Sequence, residues 1–161
     1  MMIRPLTRGD DFRSAGEVVQ RGYFALAEYP HDEVYDMYIA DIASRLDDSL
    51  VVGAFVDDRI VGCLTYVSSN DSVHAEHDDS DAASFRYFAV DPDAQGNGIG
   101  EAMVRWVIDR AHQDGKQRIF IHTLTMMPAA VYLYERMGFV RDPENDECWD
   151  GVAGLAYVLT L

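Results

Sequence analysis

The segment from Phe85 to Ala111 constrains the fold of this chain more than any other. It begins with an apolar run, Phe85 to Val90, that is typical of a buried strand. Asp91 and Pro92 then open a turn, and glycines stand at positions 96, 98 and 100. Apolar residues follow at helical spacing: Ile99, Ala102, Met103, Trp106, Val107 and Ala111. The segment therefore predicts a strand that leads through a glycine-rich loop into an amphipathic helix.

A loop of this kind is suited to binding an anion. The first backbone N–H groups of a helix have no partner within the helix, and the helix dipole adds partial positive charge at the same end. A phosphate group is the natural ligand of such an arrangement. Three glycines are also compatible with a tight turn that binds nothing, so the surrounding residues have to decide between the two interpretations.

Two common phosphate-binding motifs are absent from this loop. The dinucleotide fingerprint G-x-G-x-x-G, counted from Gly96, requires glycine at position 101, which is Glu101. A P-loop requires Gly-Lys followed by Ser or Thr, and no such sequence follows the glycines. The loop has instead the pattern Gln-x-x-Gly-x-Gly, written here as Gln95, Gly96, Asn97, Gly98, Ile99 and Gly100.

A second motif, Leu133 to Phe139 (LYERMGF), lies further along the chain. Together with the FAVDP strand and the Gln-x-x-Gly-x-Gly loop, it resembles the GNAT family of N-acetyltransferases, and the resemblance covers Phe85 to Phe139. It implies that the whole loop from Gln95 to Gly100 binds acetyl-coenzyme A (acetyl-CoA). It also implies that the backbone of the preceding strand pairs with the pantetheine arm of that cofactor, at Phe88, Ala89 and Val90.

The resemblance assigns Tyr134 two roles, one next to the cofactor and one as the general acid. A phenol with a pKa near ~10 is a reasonable proton donor to a departing thiolate with a pKa near ~8.5. Tyr134 also falls on an apolar stripe with Ala130, Leu133 and Met137, so it is expected to pack in the core as well. Both interpretations hold together if the ring packs while the hydroxyl faces the cofactor.

The order of predicted elements is β-α-α-β-β-β-α-β-α-β-β. Helices are predicted at 10–27 and 34–46, and an acidic loop at 68–83 follows a hairpin of strands at 50–56 and 60–67. This order predicts an α/β (α+β) fold with a mixed sheet and helices on both of its faces. The resemblance adds that the sheet is mostly antiparallel and GNAT-like, and we expect one domain spanning residues 1–161.

The chain is strongly acidic, with 13 basic against 28 acidic residues and a net charge of −15. No basic patch is present, so we expect neither nucleic acid nor a membrane surface as a partner. The acidity is compatible with attraction of a cationic amine, and also with solubility alone. Cys63 and Cys148 are too far apart in sequence for a metal-binding pattern, so we expect no metal. No signal peptide or long apolar run is visible, and we expect a cytoplasmic protein.

The general base is not assigned by the sequence. The family often has a carboxylate at the start of the central strand, where this chain has Ser84. His74, Glu76 and His77 lie in the acidic loop and are expected to be able to fold over the site, and His122 lies on the strand next to the cofactor. We favour His122 slightly over Glu76 as the catalytic base.

The resemblance places substrate choice at the junction of the first two helices and in the loops that face it. The candidate substrate residues are Tyr23, Phe24, Tyr29 and Glu76. The function predicted first is transfer of an acetyl group from acetyl-CoA to a primary amine, either a small molecule or a peptide N-terminus, by direct attack in a ternary complex. A non-catalytic acyl-CoA sensor is the alternative, and a nucleotide-dependent oxidoreductase is disfavoured by Glu101. Homodimers are common in the family, and the sequence leaves the oligomeric state of this chain, monomer or homodimer, undecided.

Overall fold

The computed structural model describes residues 1–161. Its helices are α1 (Phe12–Phe24), α2 (Glu33–Ala40), α3 (Ile99–Gln113) and α4 (Pro128–Arg136). Its strands are β1 (Met2–Pro5), β2 (Leu50–Val56), β3 (Arg59–Val67), β4 (Ala82–Val90), β5 (Arg118–Leu124), β6 (Val140–Arg141), β7 (Glu147–Trp149) and β8 (Val152–Thr160). One-turn 3₁₀ segments lie at 43–45, 92–94 and 143–145.

The first two helices begin where short acidic side chains can cap them. Asp11 accepts a hydrogen bond from the Ser14 backbone N–H at the start of α1, and Asp32 does the same for Tyr35 in α2. Both helices are shorter than the periodicity predicts: α1 spans Phe12–Phe24 within the predicted 10–27, and α2 stops at Ala40 rather than continuing to residue 46. The chain then folds back as a 3₁₀ turn, which brings buried Arg45 beneath the end of α2.

The strands form one sheet in the order β1-β2-β3-β4-β5-β8-β6, and β7 also pairs with β8. Every pairing is antiparallel except the one between β4 and β5. The predicted mixed, mostly antiparallel sheet is therefore confirmed. Strand β7 was not predicted, because its residues Glu147 to Trp149 lie within a stretch whose acidic composition indicates a loop.

The helices cover both faces of the sheet, as predicted. α1 and α2 bury one apolar cluster against the first face, with Val19, Ile39 and Cys63 among its members. α3 and α4 bury a larger cluster against the opposite face, which includes Met103, Val107 and Tyr134. Each face of β4 therefore contacts a different pair of helices.

The parallel pairing between β4 and β5 is short. It joins Ala82–Ser84 to Arg118–Phe120 and does not continue beyond Ser84. From Arg86 onward the two strands separate, so the later residues of β4 have no strand partner on their β5 side. The middle of the sheet consequently contains an open cleft with free backbone groups along one wall.

Strand β4 also contains a β-bulge. Cys63 pairs with Ala89 and Thr65 pairs with Arg86, so the single residue Leu64 lies opposite both Tyr87 and Phe88. Tyr87 adopts a left-handed backbone with φ of 50°. Because a non-glycine residue is strained by about 1–2 kcal/mol in that conformation, the surrounding packing must hold it there.

Candidate active site

The predicted glycine-rich loop joins β4 to the N-terminus of α3. Gly96 and Gly98 have φ of 79° and 75°, and a Cβ atom at either position would meet nothing within 4 Å. These two glycines are therefore required by backbone conformation and not by lack of space. The backbone N–H groups from Gly96 to Glu101 have no acceptor within the protein, and no side chain caps α3. This run of free donors at a helix N-terminus is an anion site.

Side chains within the loop maintain its shape. Gln95 donates from Nε2 to the Val90 carbonyl over 3.1 Å, and Asn97 donates from Nδ2 to the Ala94 carbonyl over 3.1 Å. Ile99 is buried beneath the helix start and anchors the loop in the core. Gly100 has ordinary van der Waals space, since its Cβ would lie 3.6 Å from the ring of Phe88.

Glu101, the acidic residue next to this anion site, is neutralised by two arginines. Arg105 lies 2.7 Å from its carboxylate, one turn further along α3, and Arg136 of α4 contacts the other oxygen. The two guanidinium groups give this end of α3 a net positive charge in a chain that is otherwise strongly acidic. The electrostatics near the loop therefore favour an anionic ligand.

The ring of Tyr134 packs in the core, while its hydroxyl is left without a partner in the protein. The ring lies 5.8 Å from that of Phe85 and 5.6 Å from that of Phe139, and the side chain is 5% exposed. The hydroxyl has no hydrogen-bond partner in the protein and is not sealed from solvent. Burial, with a smaller contribution from the negative charge of Glu76, raises the pKa of Tyr134 and keeps its proton in place.

The bulge in β4 makes two consecutive side chains face the same way. Phe85 and Phe88 belong to the face covered by α3 and α4. Arg86 pairs with Thr65, and Tyr87 packs in the cluster under α1 and α2, so both face the opposite side. A regular strand would alternate at each residue and could not place both there.

Three charged side chains meet on this second face, where the cleft opens. Glu76 reaches in from the loop between β3 and β4, and its Oε2 accepts hydrogen bonds from the His122 backbone N–H at 2.8 Å and from Nδ1 at 2.9 Å. Its other oxygen, Oε1, lies 3.0 Å from Nε of Arg86. The side chains of Glu76 and His122 are 8% and 4% exposed, so the ion pair is nearly buried.

The partners of His122 indicate that its ring carries both protons. Nε2 lies 2.8 Å from the Asn145 carbonyl oxygen, which can only accept a hydrogen bond. Nδ1 faces the Glu76 carboxylate, so each ring nitrogen must donate. Burial alone would lower the pKa of His122, but the hydrogen bonds to Glu76 and Asn145 outweigh it and raise the pKa.

These groups line a polar cavity of about 400 Å³. Its walls are the 68–81 loop, β4, β5 and β7, and Trp149 of β7 lies edge-on to His122 with ring centroids 5.5 Å apart. The lining residues are Asn70, Ser72, Ala75, Glu76, His77, Asp78, Arg86, His122, Glu147 and Trp149. The structure thus brings together Glu76 and His122, two residues that the sequence analysis singled out separately.

The three predicted aromatic substrate residues cluster at the end of α1. The ring of Tyr29 lies 5.9 Å from that of Tyr23 and 5.6 Å from that of Phe24. These three residues are not part of the lining of the polar cavity. The hydroxyl of Tyr29 donates a hydrogen bond to the carboxylate of Asp36 in α2. Burial raises the pKa of Tyr23, and smaller contributions come from Tyr35, Tyr134 and the opposing charge of Arg86.

Ser84, which replaces the carboxylate often found in the family, and the other two candidate bases, His74 and His77, all lie in packed surroundings. Ser84 is fully buried, and its hydroxyl has no partner in the protein. His74 is buried with its ring edge-on to Tyr87, and Nδ1 of His77 accepts from the Asp79 backbone N–H. Burial is the largest influence on both histidines and lowers the pKa of each. Arg86 was not a sequence-based candidate, since an arginine inside an apolar strand gives no sign of which face it occupies.

The structure contains no group of three or more His, Cys, Asp or Glu side chains placed to hold a metal ion. None of its helices combines the length and apolar character needed to cross a membrane.

Comparison with known proteins places the chain among acetyltransferases. The [ribosomal protein bS18]-alanine N-acetyltransferase of Escherichia coli (strain K12) is 36% identical over 59 residues, which cover 37% of this chain and 40% of that protein. The S-(2-succino)cysteine N-acetyltransferase of Bacillus subtilis (strain 168) is 36% identical over 62 residues, covering 37% of this chain and 38% of that protein. The chain thus matches about two fifths of the length of these curated relatives.

The fold itself recurs in solved structures. A GNAT family acetyltransferase from Elizabethkingia anophelis, solved with acetyl-CoA bound, superposes with a TM-score of 0.67 at 20% identity, covering 99% of this chain and 97% of that one. The sequence model of the Acetyltransferase (GNAT) family matches residues 14–139, which include the glycine loop, Glu76, His122 and Tyr134. The resemblance inferred from the two motifs is therefore confirmed, and the chain belongs to the GNAT acetyltransferase family.

Proposed function

We propose that this protein is an acetyl-CoA-dependent N-acetyltransferase that transfers an acetyl group to a primary amine. The observation that carries the proposal is the run of free backbone N–H groups from Gly96 to Glu101, at the end of α3 that contacts α4, the helix that holds the unpartnered hydroxyl of Tyr134. The anion site and the proton donor thus belong to neighbouring elements on the same face of the sheet. Residues 1–161 would form one domain of this kind.

The residues of the cleft fit acetyl-CoA. The loop N–H groups would hold its phosphates, and the later residues of β4 have unpaired backbone groups available for its amide-containing arm. When bound, acetyl-CoA supplies an activated acetyl thioester. Gln95 and Asn97 maintain the loop conformation by bonding to backbone carbonyls, and Phe88, Ala89 and Val90 form the adjacent wall.

Tyr134 would act as the general acid. Its raised pKa keeps Oη protonated across the physiological range, and Oη has no competing acceptor in the protein. A neutral phenol with no acceptor in the protein can donate a proton to a departing thiolate in direct contact with it. The buried ring, fixed by Phe85 and Phe139, holds that oxygen in position.

The acceptor amine must lose a proton, and the geometry favours Glu76 over His122 for that step. His122 donates from both ring nitrogens, so it has no free lone pair with which to accept a proton. Oε1 of Glu76 faces the cavity beside Arg86 and retains acceptor capacity. We therefore assign the proton-accepting role to Glu76, directly or through water, and a positioning role to His122.

Two relatives suggest which amines to test first. One is named for acetylating the alanine of a ribosomal protein, and the other for acetylating S-(2-succino)cysteine. Tyr23, Phe24 and Tyr29 stay candidates for contact with a part of the acceptor that extends outside the polar cavity toward the end of α1. We expect a cytoplasmic protein, consistent with its unpaired cysteines Cys63 and Cys148. Pairing through the terminal strands of the sheet, β1 and β6, would account for a homodimer.

The proposal is tested by calorimetric titration with acetyl-CoA, followed by a thiol-release assay with a panel of amines. Tyr134→Phe is expected to bind acetyl-CoA as wild type does and to lose about 10²-fold or more in kcat, because only the proton donor is removed. Tyr132→Phe is the matched control, since Tyr132 is 66% exposed on the same helix. Absence of acetyl-CoA binding by the wild type would refute the proposal. Binding without turnover of any amine would favour the acyl-CoA sensor.

A further inference from the structure

Arg86 has donor groups that the protein does not use. Its Nε is sealed from solvent and lies 3.0 Å from Oε1 of Glu76, without the geometry of a hydrogen bond. The two terminal nitrogens, Nη1 and Nη2, make no hydrogen bond to any protein atom and are not sealed from solvent, and Arg86 is one of the residues that line the polar cavity. A guanidinium group presents these nitrogens as a planar fork that matches a carboxylate.

The charges in the buried part of the cavity are not balanced. Glu76 carries one negative charge, whereas Arg86 carries one positive charge and His122, donating from both ring nitrogens, carries another. The three groups together have a net charge of about +1, and their side chains are mostly withdrawn from water. A further anion at Nη1 and Nη2 would neutralise the cluster.

The rim of the cavity has the opposite charge. Asp78 and Glu147 line its opening and are exposed, and neither contacts Arg86. Exposed carboxylates at an entrance attract a cationic amine and repel a plain anion. A ligand that carries both an ammonium group and a carboxylate fits this arrangement better than a simple anion or a simple amine does.

The position of Arg86 relates this cavity to the cleft. Parallel pairing of β4 with β5 ends at Ser84, and Arg86 is the first residue of β4 after that point whose side chain faces α1 and α2. The bulge that follows brings Tyr87 to the same face and returns Phe88 to the face where Tyr134 lies. A ligand held by Arg86 would therefore lie beside the cleft in which acetyl transfer is proposed.

We propose that the acceptor substrate is an amine that carries a carboxylate, such as a free amino acid or a close derivative, and that Arg86 binds this carboxylate through Nη1 and Nη2. This inference rests on the proposed function and narrows it, because the internal part of a protein N-terminus offers no such carboxylate near the amine. Arg86 is thereby a specificity-determining residue and not a catalytic one.

The test compares acids with their neutral amides as acceptors. The pairs are L-alanine with L-alaninamide, L-methionine with L-methioninamide and L-phenylalanine with L-phenylalaninamide, each assayed by thiol release from acetyl-CoA. In the wild type, kcat/KM for the acid should exceed that for the amide by about tenfold or more, the usual effect of a charge-assisted hydrogen-bonded pair. Arg86→Gln should abolish this ratio, and Arg59→Gln, which removes an exposed positive charge elsewhere, should leave it unchanged.

Two outcomes would overturn the inference. A wild type that uses acids and amides equally, or prefers amides, has no carboxylate site. Equal loss on acids and amides in Arg86→Gln would show that Arg86 only supports Glu76. If Arg86→Gln does not fold, Arg86→Lys decides the question, because lysine keeps the charge but lacks the two parallel donors, so the ratio should fall while the melting temperature is retained.

Direct titration of the protein with each acid and amide separates this inference from the proposed function. If acetyl-CoA binds and acids bind no better than amides, the inference fails and the proposed function stands. If acetyl-CoA does not bind, the proposed function fails, and the carboxylate site is then judged by titration alone. Acid binding that disappears in Arg86→Gln would support it, and absence of acid binding would overturn it.

Discussion

Replacement of Gly98 by alanine tests whether the cofactor loop depends on backbone conformation. Gly98 is the N-cap of α3 with φ of 75°, and a Cβ atom there would meet nothing within 4 Å. The cost is therefore conformational, about 1–2 kcal/mol for a left-handed alanine, with no steric contribution. The smaller entropy of the unfolded alanine chain offsets about 0.4–1 kcal/mol of it. We expect a net loss in unfolding free energy of about 1 kcal/mol.

Gly98→Asn and Gly100→Ala are the matched controls. Asparagine tolerates the left-handed region, so it should restore most of the lost stability despite its larger side chain. Gly100 lies within α3 without a positive φ, and its Cβ would make an ordinary contact at 3.5 Å from Leu133. Gly100→Ala should therefore stabilise the protein by up to about 0.5–1 kcal/mol through helix propensity.

The assay is urea unfolding of the four proteins together with calorimetric titration of acetyl-CoA. In a thermal melt of the same proteins, a loss of about 1 kcal/mol in unfolding free energy would lower the melting temperature by about 2–4 °C for a chain of this size. Gly98→Ala should also bind acetyl-CoA more weakly than Gly98→Asn, because the free N–H groups follow the backbone conformation. Equal stability of Gly98→Ala and wild type, or an equal loss in Gly100→Ala, would refute the conformational argument.

Two further predictions concern the packing around the site. The folded-state pKa of His122 is raised above its unfolded value, so its ion pair with Glu76 stabilises the protein fully below about pH 6.5 and is lost as pH rises through the folded pKa. Urea unfolding should show a larger deficit for His122→Gln at about pH 5.5 than at about pH 9, and a constant deficit would contradict this. In Gly22→Ala the new Cβ would lie 2.6 Å from the Cβ of Ala89. It should push α1 away from β4 and lower the unfolding free energy by about 1–2 kcal/mol in urea, whereas a gain in stability would rule out the close approach.

The cofactor side of the site could be predicted because its signals are local. The strand, turn, glycines and apolar helical face all lie between Phe85 and Ala111, and each has a short-range physical cause. The loop into α3 has a left-handed backbone at two positions, which requires glycine, so Gly96 and Gly98 mark the predicted glycine-rich loop in the sequence. Family membership followed from this segment together with the motif around Tyr134.

The acceptor side could not be predicted to the same depth because its contacts are distant in sequence. Glu76 and His122 are 46 residues apart, and nothing local indicates that the acidic loop folds back onto β5. The bulge at Tyr87 has no glycine to mark it, so the sequence does not show that Arg86 faces α1 and α2. The early end of α2 depends on buried Arg45, which donates to the Ile39 carbonyl, a tertiary contact that periodicity does not contain.

The bulge also has a consequence for which changes β4 can tolerate. In a regular strand, side chains alternate between the two faces of the sheet along its whole length. A shift of one residue in its pairing with the neighbouring strand therefore moves every side chain to the opposite face. Here Leu64 lies opposite both Tyr87 and Phe88, so the regular alternation of side chains in β4 is interrupted by one residue at the bulge. Deletion of Tyr87 would remove the extra residue and restore regular alternation, with Phe85 and Phe88 still on the face of α3 and α4, but it would also remove the ring that packs under α1 and α2. The bulge is therefore the one place in β4 where loss of a residue keeps the neighbouring side chains on their faces, whereas a deletion at a regularly paired position would exchange inward and outward positions.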